Sequence, residues 1–168
     1  ETTGGRAYAF YGQSSEFSGT INMGTADFIV NGNAPDQWLG ASIDMGGDTS
    51  GYVSYPDLMV GAPGDMNDGA GGGAGGAYVL RGDPNPDSGS FTAQSNFNAR
   101  IAGTVADSGF GSSVIGVGDV GGGNRGDFAV GAPGRYWWPS KGDAYAGDVY
   151  VFFGQISGTM STADADVV

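Results

Sequence analysis

Apolar positions along this chain fall in short alternating runs, each closed by glycine. Gly5-Arg6-Ala7-Tyr8-Ala9-Phe10-Tyr11-Gly12, Gly76-Ala77-Tyr78-Val79-Leu80-Arg81-Gly82 and Asp148-Val149-Tyr150-Val151-Phe152-Phe153-Gly154 share this pattern. A period of two predicts strands, and the closing glycine predicts a turn. The 35 glycines leave few stretches for a helix, because glycine costs about 1 kcal/mol against alanine in a helix interior.

The runs belong to an internal repeat of about 70 residues. Asp57-Leu58-Met59-Val60-Gly61-Ala62-Pro63-Gly64 returns as Asp127-Phe128-Ala129-Val130-Gly131-Ala132-Pro133-Gly134. Trp38-Leu39-Gly40-Ala41-Ser42-Ile43 pairs with Gly109-Phe110-Gly111-Ser112-Ser113-Val114. Ser18-Gly19-Thr20-Ile21 pairs with Ser157-Gly158-Thr159-Met160, with Ser88-Gly89-Ser90-Phe91 as a looser middle copy. The first and last copies continue as Thr25-Ala26-Asp27 and Thr162-Ala163-Asp164, each before an apolar stretch.

One unit therefore reads as four strands without a helix: Phe28–Val30, Leu39–Asp44, Asp57–Val60 and Ala77–Leu80. A lone twisted sheet cannot hide both faces, so four-stranded repeats of this kind predict stacked propeller blades. The expected fold is all-β: a partial β-propeller of about two four-stranded antiparallel blades with flanking strands. Residues 1–17 hold the last strand of a preceding blade, 18–87 the first unit, 88–157 the second, and 158–168 the opening strand of a following blade. A closed propeller takes about four to eight blades. The chain thus reads as a piece of a longer surface protein, a subunit whose strands complete a neighbour's blade, or an engineered excerpt.

Composition narrows the chemistry. Histidine and cysteine are absent, which excludes a Ser-His-Asp triad, a Cys-His pair, a histidine zinc site and any disulfide within the chain. A catalytic carboxylate pair is open by residue type, but no motif places one. The formal net charge is −12; without a basic patch, nucleic acid is not expected as a partner. No apolar run approaches the roughly 18 residues of a membrane span. All but two of the 18 acidic residues are aspartates, whose short carboxylates suit tight loops and hard cations.

The pair Phe110-Gly111 followed by Gly131-Ala132-Pro133 resembles the FG-GAP repeat of integrin α-subunit propellers and bacterial and archaeal surface proteins. Leu39-Gly40 with Gly61-Ala62-Pro63 is a close variant, and the resemblance spans nearly the whole chain. It implies a secreted or cell-surface location, and a calcium loop D-x-[DN]-x-[DN]-G-x-x-D ahead of the second motif strand. Asp119-Val120-Gly121-Gly122-Gly123-Asn124-Arg125-Gly126-Asp127 fits that frame at its ends, with glycine at both middle ligand positions and Asn124 where glycine is usual. The first unit opens the same way at Asp44-Met45-Gly46-Gly47-Asp48, with an insertion from Thr49 to Pro56 before Asp57. The candidate calcium ligands are Asp44, Asp48, Asp57, Asp119, Asn124 and Asp127. The competing reading makes each loop a glycine turn whose aspartates accept backbone N–H groups. Asp65-Met66-Asn67-Asp68-Gly69 is a further acidic loop, read as solvated.

Two Arg-Gly-Asp tripeptides, at Arg81 and Arg125, suit adhesion if displayed. Tyr136-Trp137-Trp138-Pro139 follows the second Gly-Ala-Pro, and adjacent tryptophans cannot both point inward from a strand. They are candidates for an interface with a partner or a neighbouring blade. Two function classes follow. One is a non-catalytic module binding a protein or glycan. The other is a structural subunit of an extracellular assembly, built by strand exchange between copies.

Overall fold

The computed structural model describes residues 4–12, 14, 16–49, 55–66, 73–82, 89–92, 97–134 and 146–168. They form eleven short strands: β1 (Arg6–Ala9), β2 (Phe28–Asn31), β3 (Ser42–Met45), β4 (Leu58–Ala62), β5 (Gly76–Leu80), β6 (Gly89–Thr92), β7 (Ala99–Ala102), β8 (Ser113–Gly118), β9 (Asp127–Ala132), β10 (Asp148–Phe152) and β11 (Gly158–Ser161). The only helical elements among these residues are the 3₁₀ turns Met23–Thr25 and Thr162–Asp164. The chain is all-β, as the alternation predicts.

The strands build three sheets: β1-β2-β6, β3-β4-β5-β7-β11 and β8-β9-β10. Closure into a ring or barrel is not seen among the described residues. Pairings are antiparallel except β2–β6 and β7–β11, which are parallel. The central sheet does hold four antiparallel strands, β3-β4-β5-β7, but β2 pairs with β1 and β6, so the expected grouping of Phe28–Val30 with the three strands that follow it is corrected, and a parallel strand is added. Gly89–Thr92 and Gly158–Ser161 supply a fifth strand, and it crosses to the sheet before its own. Hence β6 lies in the second sequence unit but completes the first sheet.

Three smaller expectations also shift. Leu39 precedes its strand and makes an isolated bridge to Gly5, so β3 starts only at Ser42. Gly61 and Ala62 close β4, leaving the turn to Pro63 and Gly64. Residues 163–168 open in a 3₁₀ turn, and only Val167 bridges β10, at Val151.

The apolar core lies between sheets. Met59, Ala77 and Val79 of the central sheet pack with Phe110, Val114, Phe128 and Val130 toward the third sheet. The opposite face, Val60, Ala62, Tyr78 and Leu80, packs with Ala7, Phe28 and Val30 of the first. Alternation along β4 and β5 thus serves two cores at once, which explains why both strands are apolar at nearly every position.

Sheet spacing is set by a contact that occurs twice. Gly5 bridges Leu39 and Gly75 bridges Phe110, both in parallel. Leu39 N–H donates to the Gly4 carbonyl and Phe110 N–H to Ala74, at 2.9 and 3.1 Å. The next glycines, Gly40 and Gly111, have φ of 87° and 91° and donate to the Gly61 and Gly131 carbonyls. A Cβ on Gly111 would stand 2.2 Å from the Gly76 oxygen, so no larger residue fits there. Gly64 and Gly134 then donate to the carbonyls of Gln37 and Ser108. Phe110 is fully buried beneath this contact. We expect Phe110→Ala to cost about 3–5 kcal/mol in urea unfolding, as for other buried aromatics. Gly111→Ala should also destabilise, through its left-handed backbone; a variant as stable as the parent would refute the close-contact account.

Candidate functional site

The acidic loops lie where β3 and β8 run into their turns, and they meet across the interface between the central and third sheets. A Cβ on Gly46 would fall 2.5 Å from Gly116 Cα, and one on Gly126 2.8 Å from Gly47 Cα. Gly126 N–H donates to the Asp48 carbonyl at 2.9 Å. Only glycines allow the two loop backbones to come this close.

Asp127 is buried and closes its own loop. Its Oδ2 accepts from Val120 and Gly121 N–H at 2.8 and 2.7 Å, and its Oδ1 from Gly154 N–H at 2.7 Å. Asp57 repeats the arrangement. Its Oδ2 accepts Thr49 N–H and the Thr49 hydroxyl at 2.9 and 2.6 Å, and its Oδ1 accepts Gly82 N–H at 2.8 Å. Each carboxylate therefore ties its loop to the glycine that follows the next motif strand.

This repetition corrects the register of the first loop. Thr49 stands to Asp57 as Val120 stands to Asp127, so Asp48 is the counterpart of Asp119. Asp44 belongs to β3 instead, and its Oδ2 accepts Gly116 N–H at 2.7 Å from across the interface. The first loop runs from Asp48 to Asp57 and is one residue longer than the second, so the long insertion after Asp48 disappears. Residues 50–54 of it lie outside the described residues. Asp119 is exposed and accepts Asn124 N–H at 3.0 Å, while Asn124 takes the left-handed φ of 60° expected of a glycine substitute.

Among the described residues no three acidic side chains converge as a hard cation requires. The closing oxygens of Asp57 and Asp127 are engaged by backbone N–H groups, which is the geometry of the competing turn reading. Burial pushes the Asp127 carboxyl up, but N–H donation from Gly121, Gly154 and Val120 outweighs it and holds the pKa below the usual value. The second Arg-Gly-Asp tripeptide is not on display, because its Asp127 is this buried acceptor. Asp83 of the first, the loop residues Asn67 to Gly69, and Tyr136, Trp137 and Trp138 lie outside the described residues.

Two arrangements escaped the sequence reading. In the first, a short acidic or amide side chain accepts one strand-end N–H in each of three units. The pairs are Asp27 with Tyr11 at 2.8 Å, Asn98 with Arg81 at 2.6 Å and Asp166 with Phe153 at 2.7 Å. Matching by residue identity aligns Asp27 with Asp164, but Asp164 instead caps a 3₁₀ turn with Ser161. Counting back from the strand, rather than matching letters, would have found Asp166.

The second is a buried polar cluster on the central sheet. Tyr78 donates to Asp65 and accepts from Gln37 Nε2 at 2.9 Å. Arg100 reaches the fully buried Asp65 at 3.2 Å, a salt bridge between β7 and the turn after β4. Burial, and then Asp65, push the Tyr78 hydroxyl far above its ordinary pKa, so it remains a donor throughout the working range.

No protein-family model matches the chain, and no curated protein does either.

Two expectations follow. Because the folded pKa of Asp127 lies below the unfolded value, its contribution is present above about pH 4 and fades as pH falls through the folded pKa. Asp127→Asn should cost about 1–3 kcal/mol at neutral pH by denaturant unfolding, with the gap to the parent narrowing in acid; a gap constant with pH would refute the assignment. Arg100→Met should cost about 3–5 kcal/mol by stranding Asp65. Adding Asp65→Leu should recover part of that loss, and the double-mutant cycle measures the coupling.

Proposed function

We propose that this chain is an extracellular, non-catalytic array of FG-GAP-type β-blades that holds a protein or glycan on the loops between its sheets. The repeat reading is supported by the contacts that Leu39-Gly40 and Phe110-Gly111 make with their Gly-Ala-Pro strands, since both copies use the same donors and acceptors. The binding reading is carried by Trp38. It holds a φ of 54°, where the second unit has Gly109 at 65°, and its side chain is 50% exposed. A bulky residue in the left-handed region is strained. Here the residue stays half exposed, and an indole suits contact with a sugar ring or an apolar side chain.

Calcium, implied by the resemblance, would add to loop closures that backbone N–H groups already make. A higher thermal midpoint in calcium than in chelator, lost in Asp119→Ala, is the observation that would assign it.

A second reading, a structural subunit assembled by strand exchange, is favoured by β6 and β11, which each cross to a neighbouring sheet.

The binding reading is tested on glycan and peptide arrays. We expect retained ligands to be lost with Trp38→Ala while the thermal midpoint holds. Trp38→Gly should lose them as well yet gain about 1 kcal/mol of stability. Blank arrays, or binding indifferent to Trp38, would count against this proposal.

A further inference from the structure

The outer face of the third sheet is apolar and open at two of its positions. Ile115 is 54% and Val149 57% exposed, while between them Ala129 is buried and Val151 half-buried. In register these positions match Asp44, Ala77, Met59 and Val79 of the central sheet, the face that the third sheet covers. The first sheet shows the complementary gap. Tyr8, Phe10 and Ile29 are only half-buried, where the central sheet has Tyr78, Leu80 and Arg100 facing the first. The two end sheets therefore carry the two halves of an interface that exists twice inside the chain.

Residues 17–23 carry the same mismatch. They match 156–162, the stretch containing β11. Gly19 and Gly158 share φ values of 75° and 72°, and each precedes its 3₁₀ turn by four residues. The strand conformation is thus prepared, yet residues 18–21 lie outside any sheet. Phe17 is 49% exposed where Ile156 is 4%; Ile21 is 42% exposed where Met160 packs on the core. Met23 is 60% exposed where Thr162 is buried. What β11 covers is β7, the strand after β5. The position that corresponds to it after β10 is Val167, which makes an isolated bridge to Val151 in the register of Phe28 on Ala9 and is 48% exposed.

We propose that the chain stacks head-to-tail on a second copy. Sheet β1-β2-β6 of one copy covers the outer face of sheet β8-β9-β10 of the next. Residues 19–21 run in parallel along Val167 and Val168 of that copy, in the register of β11 on β7. In that register Gly19 N–H meets the partner's Asp166 carbonyl, as Gly158 N–H meets Asn98 within the chain at 2.7 Å. The occupant is a like unit, because the surfaces on offer are those that already fit each other twice. Such a contact is heterologous, so it propagates unless one side is blocked. This inference rests on the assembly reading above.

The test is sedimentation velocity from micromolar to millimolar chain. The parent should self-associate with concentration. Ile21→Pro removes one apolar contact and one ladder N–H, and Val149→Lys places a charge on the receiving face. Each should weaken association about tenfold or more while circular dichroism and the thermal midpoint hold, since both sites are exposed. Mixed in equal amounts, the two variants should form dimers that do not grow, because each keeps one intact side. Phe17→Ser and Ile115→Lys are a second pair with the same expected behaviour. A parent that stays monomeric over the whole range, variants that associate like the parent, or a mixture that stays monomeric would overturn the proposal. A monomer that still retains an array ligand would refute the stacking and leave the binding reading standing.

Discussion

Neighbouring sheets touch through their backbones: Gly5 against Leu39 and Gly75 against Phe110. Strands of four to six residues cannot span much apolar surface, so no sheet here can bury both faces alone. The close backbone contact sets a distance at which side chains from two sheets fill one layer. Phe110 and Leu39 sit beneath it, and their following glycines make room for it. The alternation in β4 and β5 is useful only because this spacing is held on both sides.

The second organising feature is the use of aspartate. A chain without disulfides must secure its long connections in another way. Asp57 and Asp127 do so by collecting backbone N–H groups from a loop and a strand end, and Asp27 and Asp166 by taking one strand-end N–H each. Asp44 does it between sheets. Charge-assisted bonds of this kind are stronger than neutral ones, and a buried N–H left unmet is costly. The abundance of short carboxylates therefore has a structural explanation in the bonds themselves, apart from any ligand.

Much of this fold was legible in the sequence. The alternating runs gave β1, β5 and β10, and the 70-residue echo gave β4 and β9. The fifth strand was visible only as an unexplained Ser-Gly echo, because pairing partners about 60 residues apart leave no local mark. The loop frame was half legible. Asp119, Asn124 and Asp127 do share one hydrogen-bonded loop, but Asp44 took the place that belongs to Asp48. A motif written as a string cannot tell a residue still in its strand from one already in the turn. The Asp65–Arg100 pair could not be read at all, since its members come together only when β5 lies beside β7.

The crossing of β6 and β11 shapes how the chain reaches its native state. The first sheet takes its last strand, β6, from beyond β3, β4 and β5 in sequence. The central sheet takes β11 from beyond β8, β9 and β10 in the same way. Simple stacked repeats fold as nearest neighbours and tolerate loss at an end. Here the first and central sheets each hold a strand tethered to the sheet after it, so unravelling one unit pulls an edge from another. The crossing raises the sequence separation of contacts and slows folding. In return it links the units mechanically, so that a pull along the chain is borne by strand pairs in two sheets at once.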